Sequence, residues 1–203
     1  MTPLSQNKMF GGTQSVYEHR SDACACDMKV AVFMPPQAKD TPCPVLIWLS
    51  GLTCTEQNFT TKAGAQRIAA ELGLIIVAPD TSPRGDHVPD TEDRYDFGKG
   101  AGFYLDATVM PWMENYAMET YIRDELPFWI KSSLPMADTR VWAFLDILWA
   151  GMARLLCILK TRLYLKAALP SRPLSPRPKS PGGKKRFKAI SATIRAHGRA
   201  MTL

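Results

Sequence analysis

Two short apolar runs, Pro44-Val-Leu-Ile-Trp-Leu49 and Leu74-Ile-Ile-Val-Ala78, constrain the fold of this chain most. Neither alternates apolar with polar residues, so each predicts a strand buried on both faces. Between them Ala65, Ile68, Ala69 and Leu72 recur at spacings of three and four, which predicts an amphipathic helix over 62–72 ended by Gly73. Strand, helix, strand in that order implies a parallel pair with a right-handed crossover. A parallel sheet must be covered on both faces, so the fold class is α/β. Upstream, Asp27-Met-Lys-Val-Ala-Val-Phe-Met34 predicts a further strand. Pro35-Pro36 stops it, because proline cannot donate to a ladder. Residues 80–113 read as loop, rich in Pro, Gly and Asp. Beyond them Met118, Tyr121, Ile122, Leu126, Trp129 and Ile130 predict one face of a helix over 116–134, kinked where Pro127 removes a hydrogen bond.

Charge divides the chain. The 203 residues carry a net +6, which by itself points to a nucleic-acid or membrane partner. Residues 1–140 hold 12 Lys+Arg against 18 Asp+Glu, a balance of −6, and residues 141–203 hold 13 against the single acid Asp146, a balance of +12. With 46% apolar and 22% charged residues, wholesale disorder is excluded. The expected organisation is a front part of an α/β domain over 1–140 and a second segment over 141–203. Within that segment 141–159 is apolar and 160–203 is basic and proline-rich. Asp146 and Arg154 interrupt the apolar stretch, each costing about 2.5 to 3.5 kcal/mol at a helix centre, so no membrane span is expected. The basic stretch reads as a solvated tail able to grip phosphates nonspecifically. That leaves open a non-catalytic basic protein binding nucleic acid or an anionic membrane. No aromatic stacking pattern accompanies the charge, so no specific nucleic-acid partner is expected. Met1–Lys8 lacks the apolar region of a secretory signal, which makes cytoplasmic the expected location.

Metal and cofactor chemistry find little support. Cys24-x-Cys26 has the wrong spacing for a zinc knuckle and no second pair, and His19, His87 and His197 lie far apart. His197 sits in an Arg-rich stretch with no nucleophile to serve and is assigned no role. The expectation is no metal and no cofactor. Asp96-Phe-Gly-Lys-Gly-Ala-Gly-Phe-Tyr104 alternates glycines but lacks Gly-Lys-Ser/Thr, so it reads as a loop over a site rather than a phosphate loop. Trp48-Leu-Ser-Gly-Leu-Thr-Cys-Thr-Glu-Gln-Asn-Phe59 follows a central strand. Its Gly-Leu turn can aim backbone N–H groups at an oxyanion, or be a plain strand-to-helix connection.

Taken with Phe10-Gly-Gly and Ala78-Pro-Asp-Thr-Ser-Pro-Arg-Gly85, these segments closely resemble the S-formylglutathione hydrolase (esterase D) family from about Gln6 to Arg140. The resemblance implies an α/β-hydrolase fold and a homodimer. It also implies a serine thioesterase that converts S-formylglutathione to glutathione and formate in formaldehyde detoxification, and accepts small acyl esters. It places the backbone N–H of Leu52 in the oxyanion hole, with Gly51 and Cys54 at the substrate pocket.

The nucleophile is missing. The mechanism needs Gly-x-Ser-x-Gly followed by an Asp and then a His. No Gly-x-Ser-x-Gly occurs in the chain, and residues 141–152 read Val-Trp-Ala-Phe-Leu-Asp-Ile-Leu-Trp-Ala-Gly-Met. A shifted reading frame accounts for the substitution. Read from the third base of a CTG codon for Leu145, an allowed coding sequence for this stretch gives Gly-His-Ser-Met-Gly-Gly. Segments 180–187 and 189–195, shifted the same way, give further family-like strings. A frameshift near Arg140, no triad and hence no activity are therefore expected. So is a truncated hydrolase sheet whose buried strands keep uncovered edges and pack poorly.

Overall fold

In the computed structural model, which describes residues 2–91 and 94–146, six strands form one sheet. They are β1 (Ser5–Met9), β2 (Gly12–Ser21), β3 (Cys26–Met34), β4 (Cys43–Leu49), β5 (Ile75–Pro79) and β6 (Ala137–Asp146). Their spatial order is β1-β2-β3-β5-β4-β6. β4 pairs parallel with both β5 and β6, and the remaining neighbours are antiparallel. The β1–β2 hairpin, invisible to apolar patterning, turns on Phe10 and Gly11 at φ 49 and 76, the left-handed pair that a two-residue hairpin demands. β3 and the parallel β4–β5 pair stand where the sequence places them.

Helices cover both faces. On one lies a helical run of α3 (Met118–Thr120), a π-helical turn (Tyr121–Glu125) and α4 (Leu126–Ser133). All six residues predicted for its buried face are buried, and they pack with Val30, Val32, Val45, Ile47, Ile75 and Val77 of the sheet. Pro127 acts differently from a simple kink. The turn before it is wound wider, so that the Leu126 N–H reaches the Tyr121 carbonyl, and proline opens the next segment where its missing N–H costs little.

On the other face the helix predicted over 62–72 is two helices, α1 (Glu56–Lys62) and α2 (Gln66–Leu72). Gly64 at φ 60 separates them, and the Thr55 hydroxyl caps α1 by accepting the Gln57 N–H. The predicted face is also corrected. Ile68 and Leu72 are 49% and 70% exposed, while Ala69 and Ala70 pack on Ala31, Phe33, Ile76 and Ala78. Gly73 ends α2 at φ 66, as expected of a left-handed cap. β5 is buried throughout. β4 alternates buried with half-buried, because Trp48 is only partly covered by its stack on Phe59, 4.2 Å between centroids.

β6 corrects the expected loss of the sheet beyond Arg140. Cys43 and Pro44 face Ala137 and Asp138; residues 139–141 then bulge out, and pairing resumes from Val45 opposite Trp142 to Leu49 opposite Asp146. Trp142 and Phe144 join the apolar core, since alternating bulky residues suit a strand whatever their origin. The edge of β4 is thus covered. No helix among the described residues is long and apolar enough to cross a membrane. The rest of the apolar stretch, the basic tail and His197 lie outside the described residues.

Candidate active site

β4, β5 and β6 run parallel, so their carboxyl ends share one end of the sheet, the place where open α/β sheets take ligands. β3, being antiparallel to β5, begins there. The loop leaving β4 is Ser50–Cys54 and the loop leaving β5 starts at Asp80.

Several polar groups of the first loop are fixed. The Ser50 carbonyl accepts from the Tyr104 hydroxyl at 2.7 Å, and the Cys54 N–H closes a turn on the Gly51 carbonyl at 3.2 Å. Thr53, held at φ 62, donates its N–H to the Gly100 carbonyl at 2.8 Å. The Cys54 carbonyl accepts from the Thr81 hydroxyl and, at 3.0 Å, from Arg84 Nη2. Among the described residues the Leu52 N–H has no acceptor. A Cβ placed on Gly51 would meet nothing within 4 Å, so the turn opens onto free space. Leu52, Gly51 and Cys54 therefore lie together on one anchored turn with a donor to spare.

The anchors were not singled out in the sequence. Arg84 Nε lies 3.0 Å from both oxygens of Asp80, whose carboxyl is raised above its ordinary 3.8 by burial, with Arg84 opposing. The glycine-rich loop proves to be a brace. The Gly100 N–H donates to Ser82 Oγ at 2.6 Å, so this loop ties the two strand-end loops together instead of cradling phosphate.

Other candidate residues lie elsewhere. Cys24, Cys26 and Cys43 are buried in the core, the Cys24 thiol pushed up to about 12 by desolvation. His19 is buried against Tyr121, its Nε2 3.0 Å from the hydroxyl. Among the described residues no three His, Cys, Asp or Glu side chains converge to hold a metal.

The comparisons fit this frame. Residues 21–176 match the Esterase family model, "Putative esterase". S-formylglutathione hydrolase of Bos taurus is 45% identical over 190 residues, covering 94% of this chain and 67% of that protein. The chain belongs to the S-formylglutathione hydrolase family. S-formylglutathione hydrolase of Rattus norvegicus is 45% identical over 184 residues, 91% of this chain and 65% of that protein. A solved S-formylglutathione hydrolase from Agrobacterium tumefaciens superposes with a TM-score of 0.75 at 46% identity, over 79% of this chain and 57% of that one. The chain thus spans roughly two thirds of these relatives' length or less. The similarity also runs further than the motifs suggest, since the family model reaches residue 176, past the charge break at Arg140.

Proposed function

We propose that this chain carries the oxyanion-binding part of an acyl-thioester hydrolase and lacks its nucleophile. The family reaction is hydrolysis of S-formylglutathione to glutathione and formate, in cytoplasmic formaldehyde catabolism, by a homodimeric serine hydrolase that also takes small acyl esters. The unspent Leu52 N–H on its anchored turn carries the reading. As a serine attacks the formyl carbonyl, the oxygen gains negative charge. A fixed N–H aimed at it lowers that barrier without reorganisation during the reaction. Gly51 leaves room for the acyl group, and Cys54, two residues beyond Leu52 on the same turn, is the residue expected beside it. A second donor, the N–H after the nucleophile, and the His base with its Asp complete such a site.

The sequence after Asp146 supplies no elbow serine, so the chain as given is inactive. A frameshift near Arg140 accounts for this, supported by the family-like strings that the shifted frame returns. Purified chain is expected to leave S-formylglutathione and p-nitrophenyl acetate untouched, whereas a gene with the frame restored yields an active esterase. Turnover by the chain as given overturns the inactivity. Coding DNA that lacks Gly-His-Ser-Met-Gly in the shifted frame overturns the frameshift.

The +12 balance of residues 141–203 favours a second reading, a basic binding protein. Salt-sensitive retention on DNA by the full chain, lost when residues 141–203 are removed, supports it.

A further inference from the structure

The Leu52 N–H belongs to the rigid peptide plane that joins Gly51 to Leu52, so its direction is set by how that plane is turned. Gly51 has no side chain, and a Cβ placed there would meet nothing within 4 Å. Backbone freedom at glycine leaves the plane able to flip, which would swing the donor away from an oxyanion. Within the turn the Cys54 N–H opposes that flip, held to the Gly51 carbonyl at 3.2 Å. The planes on either side are pinned from outside. The Ser50 carbonyl, in the plane before, accepts from the hydroxyl of buried Tyr104 at 2.7 Å. The Thr53 N–H, in the plane after, donates to the Gly100 carbonyl at 2.8 Å. Both pins come from one short loop, residues 100–104.

Strain marks this contact on both sides. Thr53 stands at φ 62, Phe103 at φ 50 and Tyr104 at φ 54. Residues with side chains rarely accept the left-handed region, β-branched ones least, and such outliers persist where the surroundings over-determine them, as they do at active sites. A Cβ on Gly100 would lie 3.3 Å from the Thr53 Cα, so the loop and the turn meet closely. The loop is fixed at its other end as well, the Gly100 N–H donating to Oγ of buried Ser82 at 2.6 Å. Resting on the thioesterase reading above, we propose that Tyr104 is a positioning residue, whose hydroxyl locks the Ser50–Gly51 plane and so keeps the Leu52 N–H directed at the acyl oxygen. It acts through the turn rather than on the reacting atoms.

Residue-resolved amide exchange of the full chain tests the lock directly. Tyr104→Phe keeps the ring and removes the donor. It is expected to speed exchange of the Thr53 N–H roughly fivefold or more, the scale of one neutral hydrogen bond. Unchanged exchange overturns the lock. Esterase kinetics with the reading frame restored test its use. There Tyr104→Phe is expected to lower kcat on p-nitrophenyl acetate about 10- to 100-fold with KM within about twofold, because the misdirected donor is missed in the transition state and not in substrate binding. Lost stability alone does not produce that split. An unchanged kcat, or a raised KM with kcat kept, overturns the positioning role and leaves the thioesterase reading standing. A frame-restored enzyme inactive before any substitution overturns that reading, while amide exchange still decides the lock. Ser82→Ala loosens the same loop at Gly100 and is expected to lower kcat in the same way, so it serves if Tyr104→Phe fails to fold. A folded Ser82→Ala with unchanged kcat then overturns the role.

Discussion

Arg84→Met removes one donor from the Cys54 carbonyl and the only ion-pair partner shown for the Asp80 carboxylate among the described residues. Breaking a fully buried pair from one side costs about 3 to 5 kcal/mol. Asp80 is nearly buried, its side chain 6% exposed, but that of Arg84 is 34% exposed, so water recovers part of the loss. The expected cost at neutral pH is about 2 kcal/mol, roughly 4 to 8 °C in melting temperature for a protein of this size. The pH dependence identifies the cause. Burial already holds the Asp80 carboxyl above 3.8, and Arg84 pulls it down. Without the guanidinium it rises further. An acid whose folded pKa exceeds its unfolded one destabilises when ionised and ceases to do so on protonation. The deficit of the variant is therefore largest at pH 7.5 and narrows as pH falls through the raised Asp80 pKa. Near-UV circular dichroism melts of both proteins at pH 7.5 and pH 5 measure it. A gap that stays constant with pH, or no gap, refutes the argument. Asp80→Asn added to Arg84→Met should recover part of the loss at pH 7.5.

Other outcomes are expected. Gly102→Ala puts a methyl 2.5 Å from the Thr81 carbonyl oxygen and 2.9 Å from Met118 Cγ, so it should cost about 1 to 3 kcal/mol by urea midpoint, whereas Gly51→Ala, with nothing in reach, should be neutral. His19 is lowered below 6.5 by burial, so its contribution is present above pH 6.5 and lost as pH falls below it. The urea midpoint should drop between pH 7.5 and 5.5, and His19→Gln should drop less. Iodoacetamide labelling followed by mass spectrometry should modify half-exposed Cys54 before Cys24, Cys26 or Cys43, all buried in the native fold.

What could be read from the sequence followed the strength of its periodicity. Met118, Tyr121, Ile122, Leu126, Trp129 and Ile130 repeat at helical spacing and are buried together, because one wide apolar stripe leaves a helix a single way to dock. β2 escaped notice because Gly12–Ser21 has almost no apolar alternation. Its strand conformation comes from pairing with β3, a tertiary effect. In α2 the pattern misled. Ile68 and Leu72 suggested a face, but two short turns on a flat sheet buried the smaller Ala69 and Ala70. At the site the Gly51-Leu52 turn was legible from its motif. Its supports were not, because Thr81, Arg84, Gly100 and Tyr104 reach it from 27 to 54 residues away.

The looped-out residues 139–141 act as slack in β6. On one side of them Ala137 is fixed by Cys43, and on the other Trp142 and Phe144 are fixed by Val45 and Ile47. The two halves of the strand therefore keep separate phase, and the second half presents its bulky residues to the core whatever the phase of the first. Loss of one residue at Thr139 would shorten the slack and leave Trp142 opposite Val45. The same loss at Ala143 would send Phe144 through to the opposite side of the sheet. A chain whose composition changes abruptly at Arg140 can still complete this strand because the change falls on its slack.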